Sequence, residues 1–296
     1  MTYFEALEKI KHELVEELSR RGVDRRYLKF GGPEEKNKKI TVPTDARSEF
    51  LANRAMGDWA EDILATAIEH SCEDLTVSHY GDSDRMAAGE QGFREFFLSR
   101  AEDIRINGKR PDLLIFYKSQ NVEKDLTGRD TEDLVCLVRK ARMAIEVRSS
   151  KFEAITYMKM RKLDKTNGKR TGRDTPSFTV KVEDLIIVYR WLEKYNVPQL
   201  YTQVFFDSIF SINFLSIFQI IASGEGYSIE NPAKSQEKST IMIPITYGTQ
   251  IAVFEKQPDF EVRHKITRLG RHDAYVEPVG GKVKIDYQAF RNVINC

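Results

Sequence analysis

The chain has 296 residues, of which 41% are hydrophobic, 10% aromatic and 31% charged, a balance that excludes wholesale disorder and collagen-like structure. Lysine and arginine number 46 against 45 acidic residues, so the net charge of +1 excludes a uniformly basic nucleic-acid coat but allows a locally basic face. No apolar run is long enough to cross a bilayer, charge in Met1 to Glu8 replaces the apolar stretch of a secretory signal, and Cys72, Cys136 and Cys296 form no CxxC pair or zinc spacing, so a cytoplasmic protein with reduced thiols is expected.

In chain order, residues 1–22 predict an amphipathic helix with Phe4, Leu7, Ile10, Leu14 and Leu18 on one stripe and Gly22 at its end. Residues 31–43 are a polar connection marked by glycine and proline. A stronger helix follows, capped by Thr44 or Asp45, with Met56, Trp59, Ala60, Ile63, Leu64 and Ala67 at helical spacing. Residues 81–92 predict a loop. Ile104-Arg105-Ile106, Asn107-Gly108 and Lys109 to Tyr117 together predict a hairpin, because Asn-Gly between strand-like runs favours a tight turn. A charged surface loop is expected over 118–133, then a strand ending in Ala144-Ile145-Glu146-Val147-Arg148. Residues 159–173 are very basic. Val182 to Tyr195 predicts a helix stopped by Pro198, and Tyr201 to Phe206 a central strand. Residues 208–222 are apolar, with helix preferred, and the remainder is β-rich through Ile241–Thr246, Gln250–Lys256, Val276 and Val283–Ile285. The order helix, hairpin, strand, helix, strand gives an α/β (α+β) core over about 44–222 in one domain, with an N-terminal helical extension (1–43) and a C-terminal β-rich addition (223–296).

The chemistry concentrates in Pro111-Asp112 and Glu146-Val147-Arg148. If the two strands pair antiparallel, the start of one meets the end of the other, and Asp112 and Glu146 reach one point in space. Alternation along the strand puts Glu146 and Arg148 on one face, with Ile145 and Val147 on the other. Two carboxylates beside a cation suit a magnesium ion acting on a phosphate. The bland alternatives are a turn aspartate at 112 and a cross-sheet ion pair at 146; an acid inside an apolar strand argues against the second, because it requires a partner or a metal. The five histidines form no HExxH pair, and no GxGxxG loop or GxSxG elbow occurs.

Pro-Asp followed after a gap by acid-x-cation on a strand resembles the PD-(D/E)xK nuclease superfamily. The resemblance covers roughly residues 44–206 and implies a mixed central sheet flanked by helices, with Mg²⁺ held by Asp112 and Glu146. An acid on the first core helix assists the site in many members, which makes Glu61, in Gly57-Asp58-Trp59-Ala60-Glu61, a candidate. The strings Glu146-Val147-Arg148-Ser149-Ser150, Pro176-Ser177-Phe178, Val182-Glu183-Asp184-Leu185 and Gln203-Val204-Phe205-Phe206-Asp207 are similar to the AccI-type group of type II restriction endonucleases. That likeness implies a homodimer cutting both strands of double-stranded DNA at a short, near-palindromic site, leaving 5′-phosphate and 3′-hydroxyl ends, with a DNA methyltransferase in the same system but not as a stable partner.

The sequence departs from the pattern at Arg148, where the superfamily carries lysine. Arginine stays protonated and cannot act as a general base, though it can hold a phosphate oxygen. Either Arg148 acts by charge, or Lys151 supplies the ammonium, or the site is impaired. Lys159, Arg161, Lys162, Lys165, Lys169, Arg170 and Arg173, facing only Asp164, form a basic segment placed for DNA phosphates. Arg263, Lys265, Arg268 and Arg271, with His264 and His272, form a second basic stretch, for which solvent and DNA contact are equally supported. Base contacts are expected from loops and basic segments in the major groove. A repair or junction-resolving nuclease and a catalytically dead DNA-binding protein are the alternatives.

Overall fold

The computed structural model describes residues 45–81, 103–168, 175–230, 240–266 and 272–295, together with Arg20 and Gly270. The helix read over 1–22, the connection at 31–43 and the loop at 82–92 lie outside the described residues. Two compact units are found: Met1–Trp59 with Gln257–Gly281, and Ala60–Lys256 with Lys282–Cys296. Helix α1 spans Asp45–Ser71.

The larger unit is a mixed α/β structure built on one seven-stranded sheet. Its strands are β1 (Leu75–His79), β2 (Leu113–Tyr117), β3 (Met143–Ser149), β5 (Gln199–Val204), β6 (Ser208–Asn213), β9 (Thr249–Lys256) and β12 (Lys282–Ile285), in that spatial order. The β3–β5 pair is parallel and every other pair in the sheet is antiparallel. β4 (Ser177–Lys181), β7 (Ser228–Glu230) and β8 (Thr240–Pro244) form a small second sheet. Helices α2 (Thr131–Val138), α3 (Ala154–Thr166), α4 (Val182–Tyr195), α5 (Phe214–Ser223) and α6 (Tyr287–Asn295) complete this unit. In the smaller unit, β10 (Asp259–Ile266) and β11 (His272–Val279) make a two-stranded antiparallel ribbon. Among the described residues no helix is long and apolar enough to cross a membrane.

The central strands β2, β3, β5 and β6 are buried over most of their length, as a doubly covered part of a sheet requires. β5 is buried along its whole length and β3 from Met143 to Val147. One core cluster joins Leu114, Phe116 and Ala144 of the sheet to Trp191 and Tyr195 of α4 and Leu134 and Val138 of α2. A second joins Tyr201, Phe210 and Ile212 to Val188 of α4, Ile217 of α5 and the small sheet's Phe178 and Ile243. Helix α4 therefore contributes to both clusters.

The expected hairpin at Asn107-Gly108 is not formed. Residues 103–107 are helical, and Gly108 ends that turn with φ of 79° and its amide bonded to the Ile104 carbonyl at 2.9 Å. Asn-Gly serves a left-handed helix stop as well as a hairpin turn, and here packing against α4 decides between them. β2 instead pairs antiparallel with β1 on one side, with Leu75 opposite Tyr117 and His79 opposite Leu113, and with β3 on the other. The run after residue 133 begins in α2 rather than in a strand, and 208–222 divides into β6 and α5, with Asn213 Oδ1 capping the helix at the Leu215 amide. The basic segment is helical up to Thr166 as α3.

Helix α3 takes its cap from a distant residue. Its own preceding Glu153 makes no side-chain cap bond. Instead Asp207, in the β5–β6 turn, accepts from the amides of Ala154 and Ile155, both at 2.8 Å, and of Thr156 at 3.1 Å. A carboxylate here satisfies unpaired amides and meets the positive end of the helix dipole. Asp207→Ala lowers stability by about 1–3 kcal/mol in urea unfolding, the range for a lost cap that leaves buried donors unpaired.

Candidate active site

The site forms where β2 and β3 meet. Leu113 pairs with Ile145 and Leu114 with Ala144, so the register carried one step further sets Asp112 opposite Glu146. The Asp112 Oδ2 accepts from the Val147 amide at 2.6 Å, and the Asp112 carbonyl accepts from the amides of Tyr80 and Gly81 at 2.8 and 3.1 Å. Gly81 makes this close passage possible: a Cβ there would lie 3.1 Å from the Asp112 Cα and 3.2 Å from Oδ1.

Glu146 is almost wholly enclosed, its side chain 1% exposed. Its Oε1 accepts from the Lys109 ammonium and pairs with the Arg148 guanidinium at 3.2 Å. Its Oε2 is buried with no hydrogen-bond partner. Arg148 lies on the same face two residues on. It donates to Asp184 of α4 at 2.6 Å and to the Tyr201 hydroxyl at 3.1 Å, with its guanidinium over the Tyr201 ring.

The electrostatics follow from this crowding. Burial holds the Asp112 carboxyl well above the usual carboxylate range; the charges of Glu146 and Glu61 push it further, while Lys109 and the Val147 amide oppose. Burial works against the charge on Lys109, but Glu146, with help from Asp112 and Asp184, outweighs it and raises the ammonium's pKa. Burial also raises the Tyr201 hydroxyl to about 12, so it remains a neutral donor and acceptor.

Of the residues singled out in the sequence, Asp112, Glu146 and Arg148 come together. Glu61 reaches Asp112 through its charge and lies 3.8 Å from His79 Nδ1, where its carboxylate raises the His79 pKa. Lys151 is partly exposed just beyond β3. Lys159, Lys162 and Lys165 are exposed on α3, and Arg161 folds back over Tyr157. Lys169, Arg170 and Arg173 lie outside the described residues. In the second basic stretch, Arg263 is paired with Glu261 and Glu277, and Arg268 and Arg271 lie outside the described residues.

Lys109 was missed. No motif position points to it, and as the first residue of an expected hairpin strand it carried no chemical role. The signal that could have found it is a lysine directly after a glycine helix stop and just before Pro111-Asp112.

The donor set suits a hard divalent cation. Asp112 and Glu146 supply two carboxylates, and an unpartnered buried Oε2 on Glu146 is a free ligand position. Among the described residues no group of three or more His, Cys, Asp or Glu could hold a metal; magnesium bound through one or two carboxylates completes its shell with water and phosphate oxygens.

No curated protein matches the chain. Among solved structures it is similar to D212, a nuclease from a fusselovirus, at 10% identity over 72% of this chain and 90% of that one, with a TM-score of 0.30 at which the likeness carries no argument. The profile of the AccI restriction endonuclease family matches residues 1–167 and 157–296, which together span the whole chain. Matched from end to end, the chain belongs to the AccI restriction endonuclease family.

Proposed function

We propose that the protein is a magnesium-dependent, type II site-specific deoxyribonuclease that cuts double-stranded DNA as a homodimer. The observation that carries this reading is the buried Asp112–Glu146 pair with an open carboxylate oxygen, in a chain of a restriction endonuclease family. Asp112 and Glu146 would hold the ion. A bound magnesium ion supplies charge neutralisation for the phosphate as it passes through its pentacovalent state. Glu61 biases Asp112 by its charge and would support the ion or its water. A cation of the site would steady the scissile phosphate. A water oxygen bonds to phosphorus in line, the bond to the 3′-oxygen breaks, one water proton is released and the leaving oxygen takes one up. The products are 5′-phosphate and 3′-hydroxyl ends.

The exposed lysines of α3 provide a basic face on the helix that directly follows β3, suited to the DNA backbone. Cutting both strands at a two-fold site most simply takes two copies of the active site, hence the dimer.

Plasmid incubated with purified protein and Mg²⁺ gives discrete bands of fixed position, and EDTA removes them. Retarded plasmid that is never cut overturns the nuclease reading in favour of a DNA-binding protein. Cutting confined to branched or damaged DNA replaces the restriction reading with a structure-specific one.

A further inference from the structure

Position 148 holds arginine where the active-site strand of related nucleases carries lysine, and the structure shows what this arginine does. Its guanidinium is divided among Asp184, Glu146 and the Tyr201 hydroxyl and lies over the Tyr201 ring. A planar fork fixed on three partners has little freedom to move onto a substrate. It fastens β3 to α4 and orients Glu146.

Lys109 is placed differently. Its ammonium bonds to Glu146 Oε1 and its side chain is 22% exposed, against 1% for Glu146. An ammonium carries three donors, and Glu146 takes one of them. A compact charge on a flexible stem, at the edge of a buried carboxylate and on a side chain that is not fully enclosed, can reach an anionic ligand without giving up its place.

The backbone around Lys109 is built to hold it there. The Lys109 amide donates to the Ile187 carbonyl of α4 at 2.9 Å. Arg190 of α4 donates to the Arg105 carbonyl at 3.1 Å, and Lys194 of α4 donates to the Asn107 side chain. Gly108 lies so close to α4 that any Cβ would sit 2.3 Å from the Trp191 nitrogen. The segment 103–109 is therefore fastened to the same helix whose Asp184 fixes Arg148.

We propose that Lys109 is the catalytic cation of this site: it contacts the scissile phosphate through the donors that Glu146 leaves open, while Arg148 is a positioning residue. The proposal rests on the nuclease reading of the same site and assigns within it the ammonium that the strand lacks. The negative charge of Glu146 and Asp112 draws both Lys109 and a divalent ion to one side of the phosphate, so the charge developing on the phosphate oxygens meets fixed positive charge.

The test compares wild type with Lys109→Met, Lys109→Gln, Lys109→Arg and Lys151→Ala. Three quantities are read: single-turnover cleavage with Mg²⁺, DNA affinity by anisotropy with Ca²⁺, and Ca²⁺ affinity of the DNA-free protein by calorimetry. Lys109→Met loses cleavage about 100-fold, the scale of one lost electrostatic donor, while DNA affinity stays within about fivefold. Its Ca²⁺ affinity equals or exceeds that of wild type, because the competing ammonium is gone. Lys109→Arg regains part of the rate, and Lys151→Ala cuts like wild type. If Lys109→Met does not fold, Lys109→Gln, which keeps a donor for Glu146, carries the same expectations. Either neutral variant cutting within about threefold of wild type overturns the proposal. So does parallel loss of cleavage, DNA affinity and Ca²⁺ affinity, which is the mark of a structural ion pair, and so does a large loss in Lys151→Ala alone. Wild type that cuts no DNA overturns the nuclease reading as well; wild type that cuts while the Lys109 variants match it overturns only the lysine.

Discussion

Glu146→Gln and Asp112→Asn each reduce cleavage by at least about 1,000-fold, equivalent to about 4 kcal/mol of barrier. Both changes keep the shape of the side chain and remove the charge a divalent ion requires. Metal-free DNA binding survives in both, because the exposed lysines of α3 are untouched. The two variants part company in stability. Glu146 is the shared partner of Lys109 and Arg148, so Glu146→Gln leaves two partly enclosed cations facing a neutral amide and costs about 1–3 kcal/mol. Asp112 behaves oppositely. Its folded pKa lies above its unfolded value, so ionised Asp112 weakens the metal-free fold at neutral pH. That penalty is relieved as pH falls through the raised folded value towards the ordinary carboxylate range. In EDTA, Asp112→Asn therefore melts at or above wild type at neutral pH and loses this part of the pH slope. Normal cleavage by both variants, or a lower melting temperature for Asp112→Asn than for Glu146→Gln, contradicts the arrangement.

Gly108→Ala is expected to be the most damaging single methyl in this region. The added Cβ would lie 2.3 Å from the Trp191 nitrogen, 2.6 Å from the Ile187 oxygen and 2.8 Å from the Trp191 Cα. All three are backbone atoms of α4, which cannot swing aside as a side-chain tip can. The residue also holds φ at 79°, where an L side chain costs about 1–2 kcal/mol before any clash. Displacing the segment from α4 adds overpacking strain, for a total of about 2–5 kcal/mol and a drop in melting temperature on the order of 10 °C. The segment that moves carries Lys109, so cleavage by the folded fraction falls too. A variant that melts with wild type would show that this contact is not close.

Where local pattern and final packing agree, the sequence is readable. The apolar run around Glu146, the alternation that joins it to Arg148 and the antiparallel approach of Asp112 all appear in the register of β2 and β3. Helix α4 ends at Tyr195 because Asn196 turns left-handed just ahead of Pro198. Reading fails where one signal serves two structures. Asn-Gly can close a hairpin or stop a helix, and only the nearness of α4 selects the second. β1 escaped notice because its interior carries Ser78, whose hydroxyl is satisfied by the distant Glu123 carbonyl at 2.7 Å. Lys109 meets Glu146 across 37 residues of chain, a contact that no local periodicity encodes.

The parallel pairing of β3 with β5 bears on how the molecule is made. Residues 144–149 find their partners at 199–204, and α4 with its Asp184 lies in the intervening chain. Such a long-range pairing closes late, after much loop entropy has been lost. A nascent chain halted before Gln199 leaves the strand that bears Glu146 with one edge open. Synthesis that stops short thus releases an unfinished blade, and the capacity to break DNA arrives only once most of the chain has emerged.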